Sequence, residues 1–345
     1  MAPQQKSKVL IIYTGGTIGM IQDPHSHSLK PFDFNALTAQ IPELKKFDIE
    51  LSSISFKKPI DSSNMHPTVW VEIANTIKTN YNKVDGFVVL HGSDTMSFTA
   101  SSLSFMLQGL NKPIILTGSQ LPIGIIRTDG KENIITAIEI AGAKHKGQPI
   151  VKEVCIYFEY KLYRGNRTIK YNSQHFDAFK SPNYPVLAEA GIEINYNKHA
   201  LLKPKNKKLN VYTELNNDIA VLKLFPGISK KITQSILQTK GIRAVVMETF
   251  GAGNATTQDW FIDELKQTIK KGIVVLNVTQ CQEGEVMQGK YETSAQLKKI
   301  GVIGGYDLTF EAAVTKLMFL LGQSKSTKEV IKQLQKNISG ELTMV

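Results

Sequence analysis

The chain has 345 residues, of which 42% are hydrophobic and 21% charged, a globular composition that excludes fibrous and wholly disordered proteins and leaves room for two domains. No apolar run reaches the roughly 18 residues of a membrane-crossing helix, and the polar amino end followed by the short apolar stretch 9–13 does not read as a secretion signal. The net charge of +11 is spread along the chain, so neither a nucleic-acid partner nor a membrane surface is expected, and two cysteines, Cys155 and Cys281, predict a reducing, cytoplasmic setting rather than a disulfide framework.

Taken in order, short apolar runs alternate with helical periods, which predicts an α/β protein with parallel strands. Residues 8–13 predict a buried strand that runs into Thr14-Gly15-Gly16-Thr17. A second, 84–90, runs into His91-Gly92-Ser93-Asp94-Thr95. Ala100, Leu103, Leu107 and Leu110 then recur at three and four, the mark of one helix face. The strand 113–117 leads into Gly118-Ser119-Gln120, and 154–158 is a further strand. The stretch 191–210 is rich in Asn, Lys and Pro and lacks periodicity, so it is expected to link a larger N-terminal parallel-sheet domain (1–190) to a smaller C-terminal α/β domain (211–345). Beyond it, 219–224, 244–248 and 273–278 read as strands. Between the last two, Thr256 or Thr257 is expected to cap a helix that has Asp259 in its first turn and ends at Lys270, Lys271 and Gly272. The lysines at 203, 205, 207 and 208 read as a solvated connector, and Lys325, Lys328, Lys332 and Lys336 as a wet helix face.

Three strands thus end in glycine and hydroxyl residues. Ligands of open parallel sheets bind beyond the carboxyl ends of strands, so three distant segments are able to deliver hydroxyls to one crevice. Glycine lets a ligand approach main-chain N–H groups, and such groups are what an oxyanion needs. Each segment alone reads more readily as a plain turn or helix cap, but three together, one with a hydroxyl beside a carboxylate, point to a site. Other chemistries fit worse. The glycine spacing of Gly15-Gly16-Thr17-Ile18-Gly19 is not the dinucleotide fingerprint. There is no phosphate loop, and Ser93 is not in a Gly-x-Ser-x-Gly elbow. His25 and His27 flank Ser26 in a polar loop and read as surface, so neither a metal nor another cofactor is expected. Hydroxyls, a carboxylate and a lysine able to act as a base remain.

Thr14-Gly15-Gly16-Thr17-Ile18-Gly19 and His91-Gly92-Ser93-Asp94-Thr95-Met96 resemble the two signatures of the bacterial asparaginase family. Asp61-Ser62-Ser63-Asn64-Met65, Thr117-Gly118-Ser119-Gln120-Leu121-Pro122 and the segment 162–170 are similar to its cytoplasmic, type I branch, as are 251–255 and 301–307. The resemblance runs from about residue 8 to about residue 321. It implies hydrolysis of L-asparagine to aspartate and ammonia by double displacement, with slow hydrolysis of glutamine as a side activity. It implies that Thr14 is the nucleophile and that Ser93, Asp94 and Lys170 form a proton-sharing group. It implies substrate contacts from Gly15, Asp61, Ser62, Ser63, Gly92 and Ser119. Asn254 would reach a neighbouring subunit's site, so a homodimer or homotetramer is implied. Only 13 residues precede Thr14, so a role as an ammonia-supplying subunit acting on tRNA-bound glutamate, which adds an N-terminal domain, is not expected.

The sequence departs from the family pattern in three places. Residue 93 is Ser where the family has Thr, which keeps the oxygen but loses a methyl that stiffens χ1. Turnover is expected to be retained but lowered. The loop 21–31 lacks the family's tyrosine, with Leu29 near its place, so its proton-relay role has no counterpart there, although the loop retains the composition of a lid. Cys281 matches one residue of an effector site for asparagine, but Glu248 stands where an arginine is usual. A glutamate repels a carboxylate, so weak or absent activation by asparagine is expected. The non-enzymatic rival, a binding module on the same fold, is separated from the enzyme by an ammonia-release assay.

Overall fold

The computed structural model describes residues 6–19, 21–22, 29–30, 34–203, 208–289 and 292–343, and the chain divides into two compact units between Thr213 and Glu214.

In the first unit, eight strands form one sheet. In chain order they are β1 (Ser7–Gly15), β2 (Ile49–Ile60), β3 (Gly86–Leu90), β4 (Ile114–Thr117), β5 (Val154–Phe158), β6 (Lys161–Arg164), β7 (Ala188–Ala190) and β8 (Ile194–Tyr196). Across the sheet they run β8-β7-β6-β5-β4-β3-β1-β2. Neighbours from β2 to β5 are parallel. Those from β5 to β8 are antiparallel, so the sheet is mostly rather than wholly parallel. The central strands read as continuous apolar runs because both of their faces are covered. Ile11, Val88, Ile115 and Cys155 lie in register across four strands, all fully buried. Helix α1 (Pro67–Asn80) and helix α2 (Met96–Met106) follow β2 and β3. Helix α3 (Gly130–Gly142) adds Ile134, Ala137 and Ile138 to the same core cluster as Ile11, Val88 and Ile115. Each large apolar side chain so buried contributes about 1.5–3 kcal/mol.

Two sequence expectations are corrected here. The helix face through Leu107 and Leu110 is too long: α2 stops at Met106. Leu107 pairs instead with Val211 in a two-residue ladder, and Gly109 takes φ +75°. Both leucines are buried, which explains the helical spacing, but Leu107 lies in the short strand and Leu110 just beyond the turn at Gly109. The stretch 191–210 is not wholly a connector, because Ile194–Tyr196 adds β8 to the sheet and the division falls at 213–214. Its short length and three Asn or Lys neighbours hide the strand. Of the lysine cluster, Lys205 and Lys207 lie outside the described residues, as do His25, His27 and most of the loop 21–31. Its described ends, Ile21–Gln22 and Leu29–Lys30, pair antiparallel.

In the second unit, β9 (Ile219–Lys223), β10 (Ala244–Thr249), β11 (Val274–Thr279) and β12 (Ile303–Gly304) form a parallel sheet in that order. Helix α4 (Asp259–Lys270) buries Phe261, Ile262 and Leu265 in one cluster with Leu222, Met247 and Val275. Its N-cap is Gln258, without a side-chain cap bond, rather than a threonine. Thr256 instead accepts a 3.4 Å bond from the Gln258 N–H. At the other end the helix stops as expected, with Lys270 in the last turn and Gly272 at φ +83°. Helix α5 (Phe310–Gln323) is capped by Thr309, whose side chain accepts from the Ala312 N–H.

Candidate active site

The register of the first sheet aligns Tyr13 with Leu90 and Leu90 with Thr117. The residues that follow, Thr14, His91 and Gly118, therefore leave the carboxyl edge side by side. Thr14 is 1% exposed, and its hydroxyl donates to the Leu90 carbonyl at 2.9 Å. The glycines show how tightly these segments meet. Gly16 has φ +88°, and a Cβ there would lie 2.4 Å from the Gly92 nitrogen. A Cβ on Gly92 would lie 2.6 Å from Ser62 Oγ, and one on Gly118 would lie 2.3 Å from the His91 carbonyl oxygen. Side chains at these positions would push the strand ends apart. Segments 14–16, 62, 91–92 and 118 thus form one contiguous surface.

Ser93 and Asp94 open the turn before α2. Lys170 stands on the two-residue strand Ile169–Lys170, which pairs with Phe179–Lys180. The Lys170 ammonium donates to Ser93 Oγ at 2.8 Å and to Asp94 Oδ1 at 2.6 Å. The lysine side chain is 16% exposed and the carboxylate 65%, so the pair is open to solvent on the Asp94 side. The Ser93 hydroxyl donates to Gln120 Oε1 at 3.1 Å. Hydroxyl, carboxylate and ammonium from two segments thus share one hydrogen-bonded group.

The turn at 61–64 is held from both sides. Asp61 Oδ1 accepts from the Ser63 N–H at 2.9 Å and from the Ser63 hydroxyl at 2.8 Å. These bonds hold its carboxyl below the usual range. The Thr95 hydroxyl donates to the Ser62 carbonyl at 2.7 Å, tying that turn to the 93–95 turn. Ser62 is buried and Ser63 exposed. The Ser119 hydroxyl donates to the Leu121 carbonyl at 2.6 Å and so stabilises its own loop. Asp129 accepts from the N–H groups of Gln120 and Leu121 at 2.9–3.2 Å. Burial pushes its carboxyl up, and those donors pull it back.

His91 is fully buried, and burial pushes its pKa down to about 4. Its Nδ1 lies 2.7 Å from the Gly92 carbonyl, which can only accept, so Nδ1 bears the hydrogen. Nε2 then accepts from the Thr99 hydroxyl at 2.9 Å, and Thr99 accepts from the Trp70 indole at 2.9 Å. This chain fixes the peptide that bears Gly92. Sequence reading did not single out Gln120, Thr95, Asp129 or the Trp70–Thr99–His91 chain. Gln120 and Thr95 lie inside the strand-end motifs, but the contacts joining them to other segments leave no signal in local spacing.

In the second unit, Asn254 closes a turn: its N–H donates to the Phe250 carbonyl at 2.8 Å, and the Phe250 N–H donates back at 2.9 Å. Gly253 takes φ +101°, where a Cβ would lie 2.6 Å from Val286. Thr279 joins this turn to Cys281. Its hydroxyl donates to the Gly251 carbonyl at 2.6 Å and accepts from the Cys281 N–H at 3.0 Å. Cys281 is exposed and unbridged. Glu248 pairs with Lys223 at 3.4 Å. Among the described residues, no cluster of three His, Cys, Asp or Glu is placed to hold a metal, and no helix is long and apolar enough to cross a membrane.

Comparison with known proteins agrees in both halves. A family model described as asparaginase, N-terminal, matches residues 8–202, and one described as glutaminase/asparaginase C-terminal domain matches residues 218–334. The chain is similar to the L-asparaginase 1 of Escherichia coli strain K12, with 41% identity over 340 residues covering 98% of this chain and 99% of that one. It is also similar to the 60 kDa lysophospholipase of Homo sapiens, with 38% identity covering 97% of this chain and 61% of that one. Among solved structures, L-asparaginase I from Vibrio cholerae superposes with a TM-score of 0.88 at 38% identity, covering 98% of this chain and 100% of that one. The L-asparaginase of Thermococcus kodakarensis gives a TM-score of 0.89 at 29% identity with the same coverage. With both domains matched in order and relatives aligned over almost its whole length, the chain belongs to the asparaginase family of enzymes.

Proposed function

We propose that the protein hydrolyses the side-chain amide of L-asparagine to aspartate and ammonia, with Thr14 as nucleophile. The observation that carries this reading is the contact of Lys170 with both Ser93 and Asp94, at 2.8 and 2.6 Å, directly after Gly92, which packs against Gly16 two residues from Thr14. The Thr14 oxygen attacks the amide carbon. Backbone N–H groups of the glycine-lined strand ends meet the oxyanion that forms. The C–N bond breaks as the amide nitrogen takes up the proton lost by Thr14, so ammonia leaves and an aspartyl ester remains. Water then cleaves the ester, its proton returning to the Thr14 oxygen. Dividing the reaction in this way lowers each barrier, since ammonia is a poor leaving group. A carbonyl is no base, so the Thr14 hydroxyl must turn away from Leu90 to react. Lys170 is the group at hand to move the protons, and the Ser93 oxygen, which accepts from it at 2.8 Å, orients the reacting groups.

Asp94, largely exposed toward solvent, suits the substrate's ammonium. The α-carboxylate needs donors, and Ser62, Ser63 and the N–H groups of Gly15 and Gly92 are those at hand. Asp61 serves by shaping the turn. Ser119, whose hydroxyl is held by Leu121, lines the amide end. Asn254 completes the site of a neighbouring subunit in a homodimer or homotetramer, and the unbridged Cys155 and Cys281 fit a cytoplasmic enzyme. Glutamine, one methylene longer, is a slow substrate. The test is ammonia release from asparagine by the wild-type chain and by Thr14→Ala. Loss of about 10³-fold or more is expected. Undiminished release by the variant contradicts the proposal.

A further inference from the structure

Gln120 is the unexplained member of the site. Among the described residues, its side-chain amide bonds to Ser93 and to the His175 carbonyl. Its main chain is pinned by Asp129, which accepts from the Gln120 N–H at 2.9 Å. Its side-chain amide is pinned as well: Nε2 donates to the His175 carbonyl at 3.1 Å, while Oε1 accepts from Ser93 at 3.1 Å. The sense of these bonds is forced. A main-chain carbonyl only accepts, so the NH2 end of the amide must face His175, and the oxygen must face Ser93. Ser93 must therefore donate to Gln120. Its lone pairs are left for the Lys170 ammonium at 2.8 Å and for one further partner in the site.

This matters because residue 93 is a serine. A serine hydroxyl has three staggered wells to choose from, and no β-methyl narrows the choice. A hydroxyl that wanders off its well no longer stands between Lys170 and the reacting atoms. We infer that Gln120 is a positioning residue that holds the Ser93 hydroxyl in one rotamer and one polarity, supplying by a tethered hydrogen bond the restraint that a β-branched side chain would supply by sterics. The inference deepens the proposed amide hydrolysis and rests on it. Gln120 also lines a cavity of about 880 Å³ with Leu121, Ile125, Arg127, His175 and Phe176.

The test is a double-mutant cycle on ammonia release from asparagine, using the wild-type chain, Gln120→Leu, Ser93→Thr and the combination. Gln120→Leu is expected to lower kcat about tenfold, the rate equivalent of one net hydrogen bond, with KM within about twofold. In the Ser93→Thr background the same change is expected to cost less than about threefold, because the methyl now restrains the hydroxyl. A general loosening of the loop would not distinguish the two backgrounds. Equal losses in both, or a loss confined to KM, overturn the inference. If Gln120→Leu does not fold, Gln120→Met, unbranched and without an amide, is read in the same cycle with the same two outcomes. A wild-type chain that releases no ammonia overturns the functional reading and this inference together. Turnover that Thr14→Ala abolishes, with equal losses in the cycle, overturns only the role of Gln120.

Discussion

At the carboxyl edge of the N-terminal sheet, Lys170 meets Asp94 at 2.6 Å with Ser93 between them. The corresponding edge of the C-terminal sheet carries Glu248, which pairs with Lys223 at 3.4 Å. Burial above all, and Glu248 to a lesser degree, push a second carboxyl there, Glu311, up to about 7. One Glu311 oxygen is buried without a hydrogen-bond partner among the described residues. Both edges are made of parallel strands that end in glycine turns. One places a hydroxyl between a partly buried ammonium and a carboxylate, the other sets a solvent-facing ion pair beside a second, buried carboxyl. The same architecture therefore carries different side chains at its two edges, and the proposed chemistry belongs to the first.

The comparison breaks most easily at the charge itself. Lys170→Met should lower kcat by about 10³-fold, within the range for a lost proton-transfer group, while Cys281→Ser, at the other edge, should leave it unchanged. Steady-state ammonia release reads both.

Next in size is the pH dependence that His91 imposes on the first edge. Its imidazole takes a proton near 6.5 when unfolded and near about 4 when folded. Between those values the unfolded chain binds more protons, so this contribution is full above 6.5 and is lost as the pH falls. From pH 7 to pH 5 the wild-type chain should lose about 2 kcal/mol more stability than His91→Asn. Urea unfolding at the two pH values checks it, and equal losses would show that the histidine is not held neutral.

Smaller still is the gain from Ser93→Thr, about threefold in kcat, since the methyl restrains a hydroxyl that is already tethered. No gain would mean that rotamer freedom does not limit turnover. The mildest expectation concerns the second edge. With Glu248 repelling a carboxylate, the rate against asparagine should be hyperbolic, with a Hill coefficient of about one. A sigmoidal curve would mean that the carboxylates there do not exclude asparagine.

What could be read from the sequence follows burial. Strands β1, β3, β4 and β5 were legible because two covered faces turn a strand into an unbroken apolar run, as in Val9-Leu10-Ile11-Ile12-Tyr13. The edge strand β2 was not: its Ser52, Ser53, Lys57 and Lys58 break the run, since one side faces no neighbouring strand. Strands β7 and β8, three residues each, are too short to carry a period. In the site, the strand-end motifs stood out because glycine marks close approach, as Gly16 against Gly92 demonstrates. The bond between Ser93 and Lys170 joins residues 77 apart, and no local spacing encodes it. Only the family resemblance brought Lys170 forward. Gln120 went unassigned for the same reason, because its meaning lies in the His175 carbonyl across a turn.

The most direct test of the account is to quench the wild-type enzyme in acid during turnover of asparagine and map adducts by peptide mass spectrometry. An aspartyl ester on the peptide containing Thr14 is the predicted result. An ester on Ser93, or full turnover by Thr14→Ala with no adduct at all, would contradict it.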